Sequence, residues 1–108
     1  MKFNARRYAL EDGREPFSLW FNALRDAKAK VAILKRIERL EAGNFGAAKP
    51  CRNGVHELVV DFGPGYRVYY GLAGKEIVLL LCAGDKSTQQ VDINKAIDYL
   101  DDYKERTR

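Results

Sequence analysis

His56 is the only histidine in the chain, and that single count narrows the chemistry available to it. An imidazole with an unperturbed pKa near ~6.5 is a natural candidate acid or base. Alternation along VHELVVDF, however, puts His56 in the row of Leu58, Val60 and Phe62, which reads as core-facing. The two cysteines, Cys51 and Cys82, form no CxxC pair and have no cluster of histidines around them, so no metal centre is expected and both thiols are expected to be reduced. That leaves cations, phenols and carboxylates. In YRVYYGL, Arg67 and Tyr69 point to one side of a strand while Tyr66, Val68 and Tyr70 share the other. Tyr69 is thereby a candidate for stacking on a nucleic-acid base. Arg67 is offered either to a ligand or to Glu57 on the adjacent strand as a structural ion pair.

The elements that position these residues follow from the periodicity of the sequence. Residues 2–9 suggest a short first strand, with Phe3 and Ala5 on one side. Pro16 suits a first helical position, and Phe17, Trp20, Phe21 and Leu24 follow at the spacing of an amphipathic helix with an aromatic inner face. Asp26 is placed to cap a second helix, whose inner positions are Ile33, Ile37 and Leu40 beside Val31 and Leu34, and Gly43 ends it. The two helices form a hairpin whose exposed sides carry Arg25, Lys28, Lys30, Lys35, Arg36 and Arg39. NFGAAKPCRNG, residues 44–54, has the composition of a loop. Three strand-like runs then follow, VHELVVDF, YRVYYGL and EIVLLLCA, separated by GPG at 63–65 and AGK at 73–75, and these predict an antiparallel meander. The third run is apolar throughout, which predicts a strand covered on both faces. Ser87 and Gln90 fit a capping box for a closing helix with Ile93, Ala96, Ile97 and Leu100 inward. The order is β-α-α-β-β-β-α, an α+β arrangement with no internal repeat.

The bulk composition agrees with one folded unit. A chain of 108 residues that is 46% hydrophobic and 31% charged is expected to form a single domain over 1–108. Nineteen Lys and Arg against fifteen Asp and Glu leave a net charge of +4, a bias towards a polyanionic partner. MKFNARRYAL lacks the apolar core of a signal peptide and no run is long enough to span a membrane, so a cytoplasmic location without membrane contact is expected.

The stretch GVHELVVDFGPGYRVYYGLAGKEIVLLLCAGDKSTQQVDINKA, with FGPGYRVYY at 62–70 and GDKSTQ at 84–89 as its most specific parts, resembles the addiction-module killer proteins. These are a phage-derived Gp49-like or HigB-like branch of the RelE/ParE/HigB toxin superfamily. The helical hairpin and its RLEAGNFGAAKP link extend the resemblance over nearly the whole chain. It implies a RelE-like fold, with the hairpin packed on a small, mainly antiparallel, curved sheet. It also implies a toxin of a type II toxin–antitoxin pair, neutralised by a cognate antitoxin, expected to be a helix-turn-helix protein from the adjacent gene. Many such toxins are metal-independent, ribosome-dependent endoribonucleases that cut messenger RNA and block translation. Relatives of the ParE kind inhibit DNA gyrase instead, and a family member that only binds its antitoxin is a third reading; the fold does not separate them.

The resemblance also distributes roles. Arg67 matches the strand arginine that contacts the scissile phosphate in RelE-like nucleases, and a guanidinium fork can hold two phosphate oxygens. Lys86 stands where relatives carry a basic residue over the active cleft, which makes it the second catalytic candidate. Lys49 and Arg52 match the region where RelE places basic residues for RNA binding. RNA cleavage by a 2′-hydroxyl needs a proton acceptor, charge stabilisation on phosphorus and a proton for the departing oxygen, and it needs no cofactor. With one histidine, a two-histidine mechanism is excluded. The tyrosine that RelE carries after its last strand has no counterpart in QQVDIN at 89–94.

Overall fold

A computed structural model describes residues 2–108. Five strands form one mixed sheet in the order β1-β5-β4-β3-β2, and three α-helices pack on it. The strands are β1 (Asn4–Arg7), β2 (Ala48–Pro50), β3 (His56–Val60), β4 (Tyr66–Ala73) and β5 (Ile77–Asp85); the helices are α1 (Pro16–Ala23), α2 (Ala27–Glu41) and α3 (Gln89–Arg106). β1 runs parallel to β5 and every other pairing is antiparallel. Among the described residues no helix is long and apolar enough to cross a membrane.

The helical hairpin forms as its periodicity predicts. Pro16 occupies the start of α1, where its missing N–H would have no partner in any case. The Asp26 carboxylate caps α2 by accepting from the backbone N–H groups of Lys28 and Ala29. Phe17 and Phe21 of α1 join Ile33, Ile37 and Leu40 of α2 over Leu58, Val60, Val68 and Tyr70 of the sheet. A second core lies on the opposite face, where Ala96, Ile97 and Leu100 of α3 cover Tyr69, Leu79, Leu81 and Cys82. β5 runs between β1 and β4 and is buried from Val78 to Gly84, as a uniformly apolar strand should be. A register shift pairs Tyr69 with Cys82 but Tyr70 with Leu80. Leu81 is therefore the extra residue, and Leu81 and Cys82 both turn into the α3 core.

Three expectations are corrected. Ala48–Pro50 lies within the segment read as loop, yet it pairs with β3 as an edge strand. Pro50 is tolerated because an edge strand has one side free of ladder bonds. Arg36 is not on the exposed basic side of α2: it is 5% exposed and its guanidinium donates to the carbonyls of Asn44 and Phe45. Gly46 makes that possible, since a Cβ there would sit 2.6 Å from Arg36 Nη2. The Ser87–Gln90 capping box does not form. The Asp85 carboxylate accepts from both the Ser87 N–H at 2.8 Å and the Ser87 hydroxyl at 2.5 Å, so it caps a short 3-10 turn over Lys86–Thr88 from which α3 continues.

Candidate functional site

On the α3 face of the sheet, where β2 and β3 meet the first turn of α3, a cleft of about 290 Å³ is lined by Lys49, Cys51, Arg52, Glu57, Gln89 and Gln90 among others. Local turn chemistry builds it. Cys51 N–H donates to the Val55 carbonyl and Val55 N–H to the Arg52 carbonyl, closing a tight turn in which Asn53 and Gly54 both have positive φ, 52° and 85°. The turn swings Arg52 towards α3, where Nη2 donates to Asn94 Oδ1 at 2.5 Å. Lys49 comes from β2, directly opposite Glu57 in the register.

Glu57 lies at the floor. It is fully buried, and its carboxylate gathers groups from three elements: Arg67 Nε of β4 stands 3.2 Å from Oε1, Lys49 Nζ of β2 stands 3.6 Å from Oε2, and Gln89 Nε2 of α3 donates to Oε1 at 2.6 Å. Arg67 thus makes the ion pair with Glu57 that its strand position allowed, while Nη1 donates to the Gly65 carbonyl at 3.2 Å. The Arg67 Nε–H is not aimed at the carboxylate well enough for a hydrogen bond, and neither Arg67 Nε nor Glu57 Oε2 has a hydrogen-bond partner among the described residues. The attraction between this pair is therefore coulombic, with donor and acceptor capacity left over.

Lys86 occupies a neighbouring hollow with Pro64, Asp85 and Ser87. Arg67 stands between the two depressions, touching Glu57 on one side and the carbonyl of Gly65, next to Pro64, on the other. Lys49 and Arg52 therefore share the cleft, while Lys86 belongs to a separate hollow.

The remaining candidates lie elsewhere. His56 is stacked on Tyr70, with ring centroids 5.3 Å apart, and Tyr70 belongs to the core under the helical hairpin. His56 is therefore on the face opposite Arg67 and Glu57. Tyr69 points to the Arg67 side, as alternation placed it, but it is fully covered by α3 and offers no ring face to a base. Its burial, reinforced by the Glu57 and Asp92 carboxylates, pushes its phenol above the ordinary range and keeps it neutral. Burial and the Glu57 charge likewise push the Cys51 thiol up, which disfavours a reactive thiolate.

Glu57 and Gln89 are the site residues that reasoning from the sequence did not single out as functional. A signal for Glu57 existed: a lone carboxylate inside HELVV, on the same side of the sheet as Arg67, is an uncommon residue in a buried strand. Gln89 carried none, because its approach to Glu57 depends on where α3 begins.

The family model for phage derived protein Gp49-like (DUF891) matches residues 19–101. An uncharacterized protein of Haemophilus influenzae (strain Rd) is 48% identical over 80 residues, a span that covers 74% of this chain and 81% of the relative. The family match takes in the cleft, the central strands and most of α3.

Proposed function

The chain belongs to the phage-derived Gp49-like family, part of the RelE-like toxin group of toxin–antitoxin systems, and from that premise we propose that it is a toxin that cuts messenger RNA on the ribosome. In this reading the sheet and its hairpin are a RelE-like scaffold of the HigB kind, and the reaction is attack of a 2′-hydroxyl on the adjoining phosphodiester without metal or cofactor. The observation that carries the reading is the cleft, where Lys49 and Arg52 outnumber the single carboxylate Glu57, with Arg67 standing behind that carboxylate. Cations so arranged neutralise phosphate and stabilise the charge that develops on it in the transition state. Arg67 supplies that stabilisation, Lys86 binds the next phosphate or assists the leaving oxygen, and Lys49 and Arg52 guide the strand. Tyr69 has no place in it, being covered. The partner that silences the toxin is an antitoxin, which the family's association with toxin–antitoxin systems supports, and we place its gene beside this one, encoding a helix-turn-helix protein.

The test is mapping of messenger RNA 5′ ends in a purified translation system with ribosomes present or omitted. New ends are expected only with ribosomes, and they are expected to vanish with Arg67→Lys, which keeps the charge but removes the fork. Intact messages in the presence of active ribosomes would overturn the nuclease reading.

A further inference from the structure

Cleavage by a 2′-hydroxyl requires a group to take its proton, and resting on the RNA-cleavage reading we infer that this group is Glu57, through Oε2. The other acceptors near the cleft are disqualified by position or occupation. His56 faces the opposite core. Cys51 and Tyr69 are held neutral by burial. Asp85 and Asp92 do not line the cleft, and each spends an oxygen on the start of α3, Asp85 Oδ1 on the N–H and hydroxyl of Ser87 and Asp92 Oδ2 on the Thr88 hydroxyl at 2.5 Å.

Glu57 differs from these in that its second oxygen is both buried and without a hydrogen-bond partner among the described residues. Oε1 is held by Gln89 at 2.6 Å with Arg67 beside it, which fixes the carboxylate plane. Among the described residues Oε2 has no hydrogen-bond partner although the side chain is only 1% exposed. A buried carboxylate oxygen lacking a donor is costly, and a hydroxyl brought into the cleft would supply the missing bond. Its neighbour Lys49 stands 3.6 Å away on a side chain that is 68% exposed, so it is a movable cover and not a fixed partner. The charged and titratable groups facing Glu57 are Lys49 of β2, Cys51 of the following turn, and Arg67 and Tyr69 of β4; α3 brings the amide of Gln89.

The step balances without any further reagent. The O2′–H bond breaks and its proton passes to Glu57 Oε2. The freed electron pair of O2′ forms a bond to phosphorus, whose added negative charge Arg67 faces. The P–O5′ bond then breaks with its electron pair on O5′, which takes a proton from solvent water. The products are a 2′,3′-cyclic phosphate and a 5′-hydroxyl, and Glu57 returns its proton to solvent.

The experiment is single-turnover cleavage of a ribosome-bound message by wild type and Glu57→Gln, alongside co-sedimentation with the same ribosomes. Glu57→Gln is expected to cut at least about 100-fold more slowly while its ribosome affinity stays within about threefold. Should it fail to match the thermal midpoint of the wild type, Glu57→Asp replaces it; this variant keeps the charge but withdraws the oxygen, and a loss of about tenfold or more is expected. A message carrying 2′-O-methyl at the cut position should resist the wild type. If the wild type cuts and the folded variant cuts equally fast, Glu57 is not the proton acceptor and the nuclease reading survives; if the methylated message is cut, Glu57 and the 2′-hydroxyl route fall while messenger RNA cutting itself stands. If the wild type cuts nothing, both readings fall together.

Discussion

Arg67 cannot be replaced without consequences for Glu57, because the guanidinium is the least exposed of the cations around that carboxylate. Arg67→Ala leaves Glu57 buried with Gln89 and the longer 3.6 Å approach of Lys49. Removing one partner of a buried pair destabilises through the charge left behind, and here a loss of about 3 kcal/mol is expected in urea denaturation. Arg67→Lys should cost about 1 kcal/mol or less by the same measurement, since a charge remains near Glu57, yet it should still lose cleavage because an ammonium lacks the fork. Activity lost with stability nearly intact in the lysine variant separates a phosphate contact from a purely structural ion pair. Alternation along YRVYY was enough to place Arg67 and Tyr69 on one face and Tyr66 and Tyr70 on the other. It could not tell that α3 covers Tyr69 while leaving Arg67 at the border of that cover, because a two-residue period specifies a face and not what lies over it.

α3 is seated on the sheet through two strand glycines, and its position decides whether Gln89 reaches Glu57. A Cβ at Gly84 would stand 1.9 Å from Asp92 Oδ2 and 2.7 Å from Thr88 Oγ1, two groups that are hydrogen-bonded to each other at the start of the helix. A Cβ at Gly71 would meet Leu100 Cδ1 at 2.8 Å, the far end of a flexible side chain. Gly84→Ala must therefore displace the first turn of α3, with an expected loss of about 3 kcal/mol. Gly71→Ala should cost about 1 kcal/mol through a rotamer change. Urea denaturation combined with the cleavage assay distinguishes them: Gly84→Ala loses stability and activity together, Gly71→Ala mainly stability. The helical hairpin, the meander and the closing helix were legible because each has a strong hydrophobic period over many residues. β2 was not, since three residues too short to show a period are held by backbone bonds to β3. The start of α3 was misread for a related reason, as Ser87 and Asp85 compete locally and composition does not say which carboxylate or hydroxyl wins.

At the scale of the whole molecule, a sheet covered on both faces places ionisable groups in two cores, and their cost appears at alkaline pH. Cys82 sits under α3 with Sγ directed at the Asp92 carbonyl at 3.4 Å, and burial pushes its thiol from 9.0 up to about 12. Tyr8, tied to Asp102 of α3, is raised from 10.0 to about 12 by burial and by that carboxylate, and burial raises Tyr69 as well. In each case the unfolded chain releases its proton at lower pH than the folded one. The stabilisation is therefore complete below pH 9 and is lost progressively as pH rises towards 12, first through the thiols of Cys82 and Cys51 and then through the tyrosines. Acid should act separately, through Asp102, whose carboxyl is held below its ordinary value by hydrogen bonds from Tyr8 and Arg106; that contribution is present above about pH 4 and fades as pH falls further. Cys82→Ala removes the more deeply buried of the two thiols and leaves Cys51 and the tyrosines. Between pH 8.5 and 10.5 the wild type should lose about 2 kcal/mol more stability than this variant in guanidinium denaturation, because each unit of pH above the unfolded thiol's pKa is worth about 1.4 kcal/mol for one proton. Parallel curves for the two proteins would mean that the Cys82 thiol is not sealed beneath α3, and the close seating of that helix on β5 would have to be abandoned.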